Sequence, residues 1–315
     1  MRILAWHVHG SWMTSFVQGR HTYLIPVLPD RGPDGRGRAD TYDWPDNAVE
    51  VTPSELGSSD VDVVVLQRPH EMRLAQRWLG RKLPAIYVEH NTPKGDVPNT
   101  RHPMADRDDV VLTHVTHFNE LFWDSGGTRR TVIEHGVVDP GARYTGELAR
   151  AVAVINEPIR RWRVTGTDLL PQFARVTPID VFGMQTMALR EVMGNAPIAS
   201  QGDPGQAKLH DEMARRRVYL HPFRWTSLGL SLIEAMMLGM PVVALATTEA
   251  IEAVPAEAGF LSTRVDFLSE ALSWLLGDLN AASALGARAR VAALSRYSLA
   301  RFIDDWDQLL KEVCG

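Results

Sequence analysis

Between Val218 and Ala246 the chain reads VYLHPFRWTSLGLSLIEAMMLGMPVVALA, a segment whose residue types and spacing could hold an anion beside a pair of hydroxyls. A β-branched run leads to Pro222, and a turn containing Gly229 follows. A helix is expected from Leu230 to Leu238, stopped by Gly239 before Pro241 opens another strand. The first turn of such a helix leaves backbone N–H groups unpaired and carries the positive end of the helix dipole. Gly229 has no Cβ, so a ligand can come close, and a diphosphate is the natural occupant. Glu234, about one turn further in, can accept hydrogen bonds from two vicinal sugar hydroxyls, as acidic residues do with ribose in dinucleotide sites. On this chemistry alone a plainer reading stands beside it, in which Gly229 shapes a turn and Glu234 is a solvated helix residue.

These residues need a scaffold. Short apolar, β-branched runs recur at Arg2–Val8, Val61–Gln67, Ala85–His90 and Val110–Val115, and again at Val152–Asn156, Ile179–Gly183, Val218–His221 and Pro241–Ala246. Such runs suit strands buried on both faces of a parallel sheet, and their alternation with longer stretches predicts a doubly wound α/β class. The glycine-rich stretch GVVDPGARYTG, Gly136–Gly146, marks a boundary, giving expected domains at 1–140 and 141–297. Ser298 can cap a final helix over 298–315, whose apolar positions Leu299, Phe302, Ile303, Trp306, Leu310 and Val313 form one stripe.

Composition narrows the function classes. With 315 residues, 45% hydrophobic and 23% charged, the chain is too long for one usual core and too apolar for disorder. A net charge of −5 argues against nucleic acid as the main partner. Cys314 is the one cysteine, so no internal disulfide or Cys-rich zinc site is expected. No run approaches the length of a spanning helix, and the opening MRILAWHV reads as a strand without the regions of a signal peptide. A cytoplasmic location is the resulting expectation.

Pro222, Gly229, Leu230, Glu234, Ala235, Gly239, Pro241, Val242 and Val243 fall in register with the donor-site signature of the GT-B glycosyltransferases. The chain resembles in particular their retaining family 4 type, with its Pro-Ser-x-x-Glu-Gly-Phe-Gly-Leu-x-x-x-Glu-Ala pattern followed by Gly-x-Pro-Val-Val. The resemblance implies two Rossmann-like domains facing across a cleft, the first on the acceptor side and the second binding a nucleotide sugar, with the C-terminal helix crossing back to the first. It implies metal-independent transfer of a sugar, with retention, from a nucleotide-diphosphate donor to a hydroxyl of a small-molecule, lipid or glycan acceptor. The nucleotide sugar is then a co-substrate and no separate cofactor is implied.

The same resemblance distributes roles. Thr226, Ser227, Leu228, Gly229, Leu230, Ser231 and Glu234 become the donor-binding set, with Glu234 on the ribose. Thr226 stands where the family has its first glutamate, which alters contact with the transferred sugar. In INEPIRRWRVTGTDLL, Ile155–Leu170, Arg160 and Gly166 match the family's arginine and glycine, but Thr165 occupies the lysine position. Lys82, Lys94, Lys208 and Lys311 lie outside this loop, so Arg161 or Arg163 must supply a second charge toward the diphosphate. Arg160 and Arg163 are the expected catalytic cations. His90, at a strand end in IYVEHNTP, is expected to face donor sugar or acceptor, and Gly10, Ser11 and Trp12 to form an acceptor-side loop.

Other signals carry less. Asp30–Asp40 is expected to be a surface loop, since no Gly-Lys-Ser/Thr follows it. His7 with His9, placed on one strand face, and His114 with His117 lack the neighbours of a metal site. Two alternatives to transfer remain: a nucleotide-sugar epimerase, and a GT-B-like protein that binds a nucleotide or sugar without turnover, which Thr226 and Thr165 favour.

Overall fold

The computed structural model describes residues 1–315. Its thirteen strands form a seven-stranded and a six-stranded sheet. The chain divides into two units, Met1–Val138 together with Leu299–Gly315, and Asp139–Ser298.

In the first unit the strands are β1 (Arg2–Ala5), β2 (Thr22–Pro26), β3 (Ala48–Val51), β4 (Val63–Leu66), β5 (Ala85–Glu89), β6 (Val111–His114) and β7 (Arg130–Val132). They pair in parallel in the order β3-β2-β1-β4-β5-β6-β7. Every residue of β4 and β5 is buried, as expected for strands covered by helices on both faces. The final helix, Leu299–Cys314, belongs to this unit. Trp306 packs edge-on to Trp12 and Phe16, and Asp307 bonds His21 at 3.0 Å.

The second unit contains β8 (Leu148–Val154), β9 (Ile179–Phe182), β10 (Ile198–Gly202), β11 (Arg216–His221), β12 (Val242–Leu245) and β13 (Gly259–Ser262). They too pair in parallel, in the order β10-β9-β8-β11-β12-β13. The order reverses between β8 and β11, and between β1 and β4 in the other sheet. At such points neighbouring loops diverge and open a crevice at the carboxyl edge.

The structure differs from the sequence reading at the sheet margins. Strands β2, β3, β7, β10 and β13 were not anticipated; β10, for example, alternates half-buried and exposed residues at a sheet edge. Strand β1 ends at Ala5, so His7 and His9 lie in the following loop and not on a strand face. No helix is long and apolar enough to cross a membrane.

Candidate functional site

The helix Leu230–Leu238 forms as its punctuation dictates. Gly229 precedes it in an extended conformation and offers no side chain to cap the first N–H groups, and Gly239 ends it at φ +89°. Apart from Ser231 and Glu234 it is apolar, and Leu232 through Leu238 are buried, so the core fixes its position. Tyr219 on β11 and Ser231 in the first turn share a hydroxyl hydrogen bond of 2.8 Å. The His221 ring lies beneath Gly229, where a Cβ would stand 2.8 Å from Cε1. Burial pushes the His221 pKa down to about 3, so this support is neutral.

Glu234 is not solvated. It is 4% exposed, and its Oε1 accepts a 3.0 Å hydrogen bond from Gln206 Nε2. His210 Nε2 stands 3.6 Å from Oε2. Both partners come from the helix Gln206–Arg215, where a spacing of four puts them on one face. A buried carboxylate held this way at a sheet's carboxyl edge suits recognition of hydroxyls.

The loop after β8 meets the turn after β11. Arg224 and Trp225 donate backbone N–H bonds to the Val164 carbonyl, at 2.9 and 3.2 Å. Arg224 also donates to the Arg163 carbonyl at 3.0 Å and forks onto Asp168 at 2.5 and 3.0 Å. Gly166, at φ +69°, lies so close to Pro222 that a Cβ would be 1.8 Å from its carbonyl oxygen. The two motifs singled out in the sequence therefore form one interlocked edge. Non-glycine residues with positive φ gather along the same edge: Glu157 at 54°, Gln185 at 58° and Thr248 at 50°. Such strain is characteristic of places where function overrides local preference.

The arginines separate into two kinds. Arg160 is exposed and ion-paired with Glu157, and Arg163 is exposed and bonds Asp168 at 3.2 Å. Arg161 is half-buried and makes no side-chain hydrogen bond or ion pair. Burial and then the Arg160 charge lower its pKa, but a guanidinium stays charged. Thr165 is fully buried and hydroxyl-bonded to Thr167 at 2.9 Å, so its side chain is engaged in the core. Thr226 is half-buried, while Ser227 and Leu228 are buried.

In the first unit His90 follows β5, its ring 4.0 Å from that of His9 and edge-on to Trp12 at 5.1 Å. Its Nε2 is buried without a partner. Burial holds its pKa well below the usual value, so it is a neutral imidazole. Glu89 next to it binds His102 at 2.9 Å and the Asn91 N–H at 2.6 Å, which fixes the strand end. Gly10 and Ser11 begin the short helix Gly10–Phe16, and Ser11 shares a 3.0 Å bond with Tyr42. Trp12 is 1% exposed and packs inside the unit, edge-on to His90 and to Trp306. Sequence reasoning missed Asp168, Gln206, His210 and Arg224. The Gln206–His210 spacing was a usable signal, whereas Arg224 and Asp168 lie 56 residues apart.

No curated protein matches the chain by sequence. Residues 186–278, which include β10 to β13 and the helix Leu230–Leu238, match the family model described as glycosyl transferases group 1. Among solved structures, the sucrose-phosphate synthase of Thermosynechococcus elongatus is similar over 99% of this chain and 98% of its own, with TM-score 0.73 and 13% identity. Anabaena HepE, solved with UDP-glucose, is similar over 99% of this chain and 100% of its own, with TM-score 0.70 and 15% identity. TarM of S. aureus, solved with UDP, matches 79% of this chain at TM-score 0.62 and 14% identity. This chain spans 55% of TarM's length. The fold is thus the GT-B fold that these structures share, and residues 186–278 of the second unit are similar to the glycosyl transferases group 1 model.

Proposed function

We propose that the protein transfers a sugar from a nucleotide-diphosphate donor to an acceptor hydroxyl, with retention and without a metal. One observation supports this above all: at the β8/β11 switch point, an uncapped helix start at Gly229 is followed one turn later by the buried carboxylate of Glu234. Amide N–H groups of the first turn, Leu230 and Ser231, receive the diphosphate, and Glu234 takes two ribose hydroxyls. Thr226, Ser227 and Leu228 shape the approach to the turn. Arg161 is assigned the cationic role in the loop after β8, because its guanidinium is unpaired and half-buried. Arg160 and Arg163 take part only by leaving Glu157 and Asp168. In the reaction the bond from the anomeric carbon to the leaving phosphate oxygen breaks, and one to the acceptor oxygen forms on the same face. The acceptor's proton passes to the leaving phosphate. Preorganised N–H donors and a guanidinium stabilise the charge growing on that phosphate. His90, neutral and with an unsatisfied Nε2, is assigned to hydroxyl contact in the first unit, with Gly10 and Ser11 nearby in sequence to His9. A location in the cytoplasm suits the free thiol of Cys314.

The engagement of Arg160 and Arg163 by carboxylates favours a second reading, binding of a nucleotide sugar without turnover. Incubation with labelled UDP-, GDP- and dTDP-sugars and a panel of acceptors separates the two. Transfer with the anomeric configuration kept, and undiminished by chelator, supports the proposal. Inversion or chelator sensitivity removes its finer part, and binding without product or epimerised donor removes transfer.

A further inference from the structure

We infer that Gln206 is the positioning residue that sets how strictly Glu234 demands a ribose. The inference rests on the ribose role proposed for Glu234 and extends it to a residue outside the donor signature. An ionised carboxylate offers about four lone-pair sites. In Glu234 one of these, on Oε1, is filled by the Nε2–H of Gln206 at 3.0 Å, leaving enough for two hydroxyls. The other oxygen faces His210 Nε2 at 3.6 Å, beyond hydrogen-bond length. That nitrogen is buried and has no partner, so it is an unfilled competitor for the carboxylate. Gln206 and His210 sit one turn apart on the same helix, on either side of the carboxyl group in bonding terms. While Gln206 holds Oε1, the plane of the carboxylate is set and the approach to His210 stays open. Without that N–H, a small rotation closes Oε2 onto His210 and withdraws an oxygen from the sugar. Gln206 is therefore predicted to act on the difference between ribose and deoxyribose, not on the grip on diphosphate.

Calorimetric titration of UDP, GDP and their 2′,3′-dideoxy counterparts tests this in the full chain. Wild type should prefer the ribonucleotide by roughly tenfold or more, and Glu234→Ala should erase the preference. Gln206→Met keeps the side-chain length but loses the donor. It should cut the preference about 3- to 10-fold while leaving dideoxynucleotide affinity unchanged. A Gln206→Met protein that keeps the full preference, or that loses affinity for both forms alike, overturns the inference and leaves Glu234's role intact. A Glu234→Ala protein that keeps the preference overturns the ribose reading itself and the inference with it. Failure of the wild type to bind either ribonucleotide contradicts both.

Discussion

Gly166→Ala should unlock the edge at which the two motif loops meet. The backbone there has φ +69°, a left-handed conformation that costs an L-residue about 1–2 kcal/mol. The new Cβ would stand 1.8 Å from the Pro222 carbonyl oxygen, where ordinary contact begins near 3.4 Å, so backbone has to move. The contacts that break first are the Arg224 and Trp225 N–H bonds to Val164, each contributing about 1 kcal/mol net. Strain and lost bonds together predict a destabilisation of about 3–4 kcal/mol for the second unit. Amide hydrogen exchange reads this locally: protection at Arg224 and Trp225 should fall, while strands of the first unit keep theirs. Nucleotide affinity should weaken as the turn before Gly229 loosens. Unchanged protection at both amides, with wild-type stability, would refute the interlock.

Arg161→Ala should lower kcat/KM about 100-fold, the size of losing one preorganised donor, whereas Arg160→Ala should change it no more than about threefold. Steady-state kinetics with the donor found by screening decides this, and the reverse order of effects would return the role to Arg160. Stability should fall on acidification. Burial holds His114, His135 and His221 at pKa values of about 3 in the folded chain, against 6.5 for an exposed histidine. Between those values the unfolded chain binds more protons, so each histidine removes about 1.4 kcal/mol per pH unit as pH falls below about 6.5. Urea midpoints measured from pH 7.5 down to 5 should decline, and a flat profile would show that these imidazoles titrate normally.

How much was legible beforehand depended on whether the signal was local. Gly229, Gly239 and Pro241 punctuate one run, and the helix they bracket, Leu230–Leu238, forms with those bounds. Its burial also follows from a sequence that is apolar except at Ser231 and Glu234. The edge strand β10, IASQG, carries polar residues because half of it faces outward, so hydrophobic runs could not reveal it. Strand β13 is equally quiet, with three of four residues only half-buried. The same limit applied within the site. Three arginines in one loop were visible, but their division into paired and unpaired required the fold, since Asp168 is shared with Arg224 from a distant segment. Glu157 and Arg160, three apart, were a local pair that could have been noticed. The resemblance around Gly10 puts Trp12 in an acceptor-side loop, and only the fold shows that the C-terminal helix covers it with Trp306.

The most direct test is a crystal structure of the protein soaked with the nucleotide diphosphate that binds it best. Diphosphate oxygens should lie within hydrogen-bond reach of the Leu230 and Ser231 amides, with both ribose hydroxyls on Glu234. A nucleotide bound elsewhere, with the turn at Gly229 empty and Glu234 touching Gln206 alone, would contradict the donor site.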